Sequence, residues 1–269
     1  MVIICMGGTE LSLNEELDLI YHQLRNELNH DYVKTILPEP IIDRDKLMIY
    51  YLLFRQQEST LNAGAHAKSV MVAEIGLNTH ETMTIEKCSD IKATKKRQLT
   101  VLSGDFYSAL YYYSLARQSN MEVVKWVAQA IQTFNIHKCA FFYSKTRLNW
   151  SETLEAVMKI ESALVEKIAR QLGQAPIIPY LNAFFLIKRL VIERKAHGNC
   201  ERTSYFSQAV LGSVETLTVK LDQEIKNKAA HLIHALDRQE NHSEWLMQII
   251  DYLRDQLSRM AEGVGEGTY

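Results

Sequence analysis

The feature that most constrains this chain is how seldom it is interrupted: 269 residues contain only 4 Pro and 11 Gly. Between them run long stretches rich in Leu, Glu, Lys, Gln, Ala and Ile, residues that favour helices, with too few turn formers for a strand-and-turn architecture. The expectation is an all-α fold. Hydrophobic residues make up 47% of the chain, enough for one large core or two smaller ones and without the bias that signals disorder.

Local signals place the helices. Ser12 and Glu15 have capping-box spacing, and Leu13, Leu17, Ile20, Leu24 and Leu28 recur at three to four residues, tracing one face of a first helix. Pro38 and Pro40 break the chain, Asp43 caps a second helix burying Leu47, Tyr50, Leu53 and Phe54, and Ser59 opens a third ending near Asn78. The polar segment Glu86 to Arg97 reads as a loop before two long helices, Leu99 to Arg117 and Met121 to Tyr143. Ser151 is the expected cap of a helix stopped by Gly173. Pro176 and Pro179 separate it from Tyr180 to Glu193, and helices are expected over Thr203–Leu211, Val214–Leu236 and Ser243–Met260. No repeat is evident. Residues 12–260 are expected to form a single helical domain between a disordered N-terminus, 1–11, and a disordered tail, 261–269, although the loops near Ser144 and Ala196 leave room for two lobes.

Charge and cysteine usage exclude several classes. The net charge is -2, and the basic residues are dispersed among acids, so the footprint of a nucleic-acid binder is missing. Cys5, Cys88, Cys139 and Cys200 lie far apart without metal-ligand or disulfide spacing and read as reduced cytosolic thiols. Met1 to Gly8 lacks the basic start and the long apolar run of a signal peptide. Gln98 to Ala116, the least charged stretch, carries Asp105 at its middle and many Tyr and Ser, so it reads as a helix buried in protein and not as a membrane span. No dinucleotide, nucleoside triphosphate or serine-hydrolase motif occurs. His231 with His234, and Asp251 with Asp255, share helix faces but lack the further ligands a metal site needs.

The informative stretch is Glu74 to Ala116. Arg97-Gln98-Leu99-Thr100-Val101-Leu102-Ser103-Gly104-Asp105-Phe106-Tyr107-Ser108 resembles the segment around the Gly-Asp pair of trans-prenyl diphosphate synthases. Together with Leu77-Asn78-Thr79-His80-Glu81, it comes closest to the small component of two-component heptaprenyl diphosphate synthases of Bacillus type. The resemblance is specific from Arg97 to Tyr113, moderate from Asp43 to Glu81, and elsewhere only a like succession of helices. Catalytic members of the wider family carry a DDxxD motif whose carboxylates share a helix face and hold magnesium against an allylic diphosphate. Set against it, this chain has His80 and Glu81, then Thr82-Met83-Thr84-Ile85: one acid of three. The second aspartate-rich motif is also absent.

The resemblance therefore implies an isoprenoid-synthase-like helical bundle that is the non-catalytic subunit of a heterodimer, inactive alone. It implies a catalytic component 2 that binds Mg2+, with no metal or cofactor on this chain. The pair would condense farnesyl diphosphate with isopentenyl diphosphate to all-trans heptaprenyl diphosphate for menaquinone side chains, and this subunit would help set product length. The location implied is cytoplasmic, with peripheral membrane contact left open by the lipid product. A self-sufficient prenyltransferase with a degenerate site and a helical lipid-binding or scaffold protein remain alternatives.

Other residues carry two readings each. Lys95, Lys96 and Arg97 form a solvated basic run or a diphosphate contact. Asp105 must find a partner or a polar surrounding, and an ion pair or helix contact is the favoured role. Gly104 and Ser108, four apart, suit close approach of a second helix. Tyr111, Tyr112 and Tyr113 suit either a core or a subunit interface.

Overall fold

A computed structural model of the chain describes residues 11–82, 90–118, 120–144, 146–196, 205–206, 209, 214–239 and 243–265. Among these residues there are nine α-helices, two short 3-10 turns and no strand. The chain divides into two compact units, Met1–Ser114 and Leu115–Tyr269.

The first unit begins with α1 (Leu13–Leu28), where Ser12 and Glu15 form a reciprocal capping box and Leu17, Ile20, Leu24 and Leu28 are buried. Helix α2 (Arg44–Arg55) starts where the Asp43 carboxylate accepts the amides of Asp45 and Lys46, both at 3.0 Å. Every residue from Lys46 to Phe54 is buried, the pattern of a helix surrounded by protein on all sides. Helix α3 (Thr60–Glu81), capped by Ser59, packs along α2. Lys46 enters this apolar setting because its ammonium meets the Glu74 carboxylate at 2.7 Å, while the Tyr50 hydroxyl donates to the same carboxylate at 2.5 Å. Burial is the main force raising the Glu74 pKa, opposed by Lys46 and by the Tyr50 hydroxyl.

Helix α4 (Ile91–Arg117) begins eight residues earlier than expected. Asp90 accepts the Ala93 amide at 2.7 Å, which starts the helix, and the Lys-Ala-Thr-Lys-Lys-Arg run that follows contains mostly strong helix formers. A run of like charge made this segment look like a loop; its propensity and cap make it helix.

In the second unit, α5 (Met121–Phe142) is capped by Asn120. Helix α6 (Trp150–Gln171) is capped by Asn149 and not by Ser151, because Asn149 and Glu152 make the reciprocal pair. It ends at Gly173, whose φ of +74° is a left-handed conformation favouring glycine. Helix α7 (Ile178–Ala196) starts directly after the 3-10 turn Ala175–Ile177, with Pro179 tolerated in its first turn. The stretch Ala175–Ala196 is long and apolar enough to cross a membrane, but half of it is buried in protein. Among its buried residues are Leu181, Phe184, Phe185, Ile187 and Leu190, as in the core helix of a bundle.

Helices α8 (Val214–Asp237) and α9 (Glu244–Gly265) complete the unit. Helix α9 runs five residues into the expected disordered tail. The ends 1–10 and 266–269 lie outside the described residues, as does most of the helix expected over Thr203–Leu211. Of that segment Tyr205, Phe206 and Ala209 are described and are not helical; Phe206 is fully buried against Trp150. Arg189 is held between Glu193, at 2.6 Å, and Glu161, at 3.5 Å.

Candidate functional site

Of the residues singled out in the sequence, His80, Glu81, Gly104, Asp105 and Ser108 lie where α3 ends beside α4, within the first unit. The two helices meet through small residues. A methyl group placed on Gly76 would lie 3.3 Å from the Ser108 hydroxyl and 3.5 Å from the Gly104 carbonyl, and one on Gly104 would strike the His80 ring at 2.5 Å. Further along, the Ser69 and Ser114 hydroxyls bond at 2.9 Å. Gly104 and Ser108 thus lie on the face of α4 that α3 occupies, and the His80 imidazole fills the space that a side chain at 104 would need.

His80 Nε2 lies 3.6 Å from Asp105 Oδ1, with the two side chains 39% and 65% exposed. Asp105 is therefore not a buried carboxylate: it stands at the surface with His80 as a neighbour. Glu81 is the last residue of α3 and is exposed. Holding magnesium on a diphosphate takes several hard oxygen ligands converging on one point. Among the described residues no group of three or more His, Cys, Asp or Glu side chains could hold a metal ion, so the donor set at His80, Glu81 and Asp105 does not fit that task.

Lys95 and Lys96 are exposed and Arg97 is half-buried on the early turns of α4. Consecutive helical residues project about 100° apart, so these three do not face a single point. The three tyrosines separate in the same way. Tyr111 is half-buried, with burial raising its pKa, whereas Tyr112 and Tyr113 are 53% and 60% exposed.

Two features escaped the sequence reading. One is the buried Lys46–Glu74–Tyr50 cluster, whose only signal is a charge at apolar-periodic positions of α2 and α3. The other is that Leu102 and Phe106, 62% and 41% exposed, share the outer face of α4 with Tyr112 and Tyr113. A cavity of about 200 Å³ lies beside the end of α1, bordered by Arg25, Asn26, His30, Lys34 and Tyr107. It is smaller than the roughly 300 Å³ at which small-molecule sites begin, and Arg25 is already paired with Glu39 at 2.9 Å.

The architecture is that of the isoprenyl diphosphate synthases, an all-α class. A decaprenyl diphosphate synthase from Rhodobacter capsulatus matches over 94% of this chain and 98% of its own, with TM-score 0.68 and 13% identity. A geranyltranstransferase from Thermotoga maritima matches over 93% and 99%, with TM-score 0.64 and 12% identity. Identities this low show the fold alone. Sequence narrows the class: residues 30–241 match the family described as heptaprenyl diphosphate synthase (HEPPP synthase) subunit 1, and the chain belongs to that family. A heptaprenyl diphosphate synthase component 1 from Geobacillus stearothermophilus is 33% identical over 128 residues. That match spans 48% of this chain and 56% of the relative, so it covers about half the length of the curated relative.

Proposed function

We propose that this chain is the non-catalytic subunit of a two-component heptaprenyl diphosphate synthase. What supports the reading is the end of α3, where His80 is packed against Gly104 and where the resemblance sets Glu81 as the single acid of an aspartate-rich motif. Ionising an allylic diphosphate leaves negative charge on the departing group, and magnesium held by clustered carboxylates is suited to stabilise it. This chain offers no such cluster among its described residues. The metal-binding aspartates and the substrates, farnesyl and isopentenyl diphosphate, then belong to a second component, with the all-trans product serving menaquinone side-chain synthesis in the cytoplasm.

Helix α4 is the surface best suited to meet that component. Leu102, Phe106, Tyr112 and Tyr113 are exposed on one side of it, with Ala109 and Ala116 exposed between and beyond them. Aromatic residues are enriched and lysine depleted in interface cores. Bound there, this subunit would support the partner and limit the apolar path of the growing chain, which sets product length without touching the reacting carbon.

The test is prenyl transfer from labelled isopentenyl diphosphate with farnesyl diphosphate and magnesium, by this chain alone, by the second component alone and by both. Product is expected only from the mixture. Magnesium-dependent product from this chain alone would mean that it is a self-sufficient prenyltransferase.

A further inference from the structure

The exposed side of α4 changes character along its length. At about 100° per residue, Ile91, Lys92, Lys95 and Lys96 fall within an arc of about 140° on the first two turns. Ile91 is 87% exposed and the three lysines are exposed. Tyr32, 51% exposed, lies beneath Lys95, whose ammonium is 5.6 Å from the centre of its ring. Asp90 accepts the Ala93 amide at the helix start, and Asp31, next to Tyr32 in the chain, pairs with Lys34 at 2.7 Å. A chain of net charge -2 thus concentrates cations beside an exposed isoleucine and an exposed tyrosine.

We propose that this patch docks the protein on an anionic lipid bilayer. Lysine is depleted in the cores of protein interfaces, which sets the patch apart from the aromatic half of the same helix. At a bilayer the same composition is favourable: lysines snorkel to the headgroups with their stems along apolar surface, tyrosine suits the interfacial zone, and an aliphatic side chain enters the acyl boundary. Charge complementarity identifies the occupant, because each cation near an anionic leaflet strengthens attachment and a neutral leaflet offers nothing to these lysines. The proposal rests on this surface alone and not on the assignment to a prenyl synthase.

The experiment is sedimentation of the full chain with vesicles of phosphatidylcholine, or of phosphatidylcholine with one-third phosphatidylglycerol, at low and high salt. Binding is expected to the anionic vesicles only and to weaken at high salt, where charges beyond a Debye length are screened. Replacing Lys92, Lys95 and Lys96 together by Glu should lower partitioning at least about a hundredfold, from a factor of about five per cation. Ile91→Ser should lower it about fivefold to tenfold. The milder triple change to Gln, checked for unchanged helicity, serves if charge reversal disturbs the fold. Equal binding to both vesicle types, or a folded triple variant that partitions like the parent, would overturn the proposal. So would a parent that ignores vesicles while the triple variant loses the second component, since the patch would then be a protein contact. Vesicle binding is read without prenyl transfer, so its failure and a failure of the synthase assignment are separate outcomes.

Discussion

The two sides of α4 invert the usual amphipathic arrangement. Toward α3 the helix presents Gly104, Ser108 and Ser114 along with Tyr107, while toward solvent it presents Leu102, Phe106, Tyr112 and Tyr113 together with Asp105. An ordinary surface helix turns its apolar stripe inward and its polar residues outward. Small residues on the inner side let two backbones approach closely, and large apolar residues grouped on the outer side are suited to an interaction surface. On the function proposed above, the inner side serves the fold of this chain and the outer side serves assembly.

The largest expected effect is on the outer side. Phe106→Asp combined with Tyr113→Asp should weaken association with the second component by roughly a thousandfold or more, about 4 kcal/mol, because two charges would be buried without partners. The isolated chain should keep its helical circular dichroism. Full binding by the double variant would make the aromatic side a surface with no assembly role.

On the inner side, Gly76→Val should lower the unfolding free energy by about 1–3 kcal/mol, the usual cost of forcing extra carbons into a packed contact, measured by urea denaturation. Gly104→Ala is subtler. Its new methyl meets a ring that is 39% exposed and free to swing away, so the cost should stay below about 1 kcal/mol. In a His80→Ala background the same change should become stabilising, by up to about 1 kcal/mol, since alanine outranks glycine within a helix. A sign that failed to reverse would show that His80 is not what fills the space at Gly104.

The smallest effect is expected from Glu81→Ala, which should leave synthesis by the assembled enzyme within about twofold, measured by product formation at saturating magnesium. Abolished turnover in an intact complex would give Glu81 a direct catalytic role.

These features were unequally legible in the sequence. The caps at Ser12, Asp43 and Ser59 could be read because a cap is a contact between near neighbours, and the all-α class followed from scarce Pro and Gly. Ser151 was expected to cap α6, but Asn149, two residues earlier, is the cap because it has a glutamate, Glu152, three residues on with which to pair. The early start of α4 was hidden because a basic run reads as loop until its propensity is weighed. Tyr112 and Tyr113 could not be distinguished from Tyr111, since which side faces out depends on where α3 lies. Lys46 and Glu74 meet through the packing of α2 on α3, a juxtaposition that no local pattern encodes.

The most direct test compares two exposed apolar positions of the same unit. Leu61 on α3 is 64% exposed and Tyr113 on α4 is 60% exposed, so exposure alone gives them equal weight. Titration calorimetry of the second component into Leu61→Asp and Tyr113→Asp chains should return the parental Kd for the first and a Kd raised by a factor of roughly 30 or more for the second, about 2 kcal/mol. Equal Kd values for the two variants would contradict the assignment of the outer side of α4 to assembly.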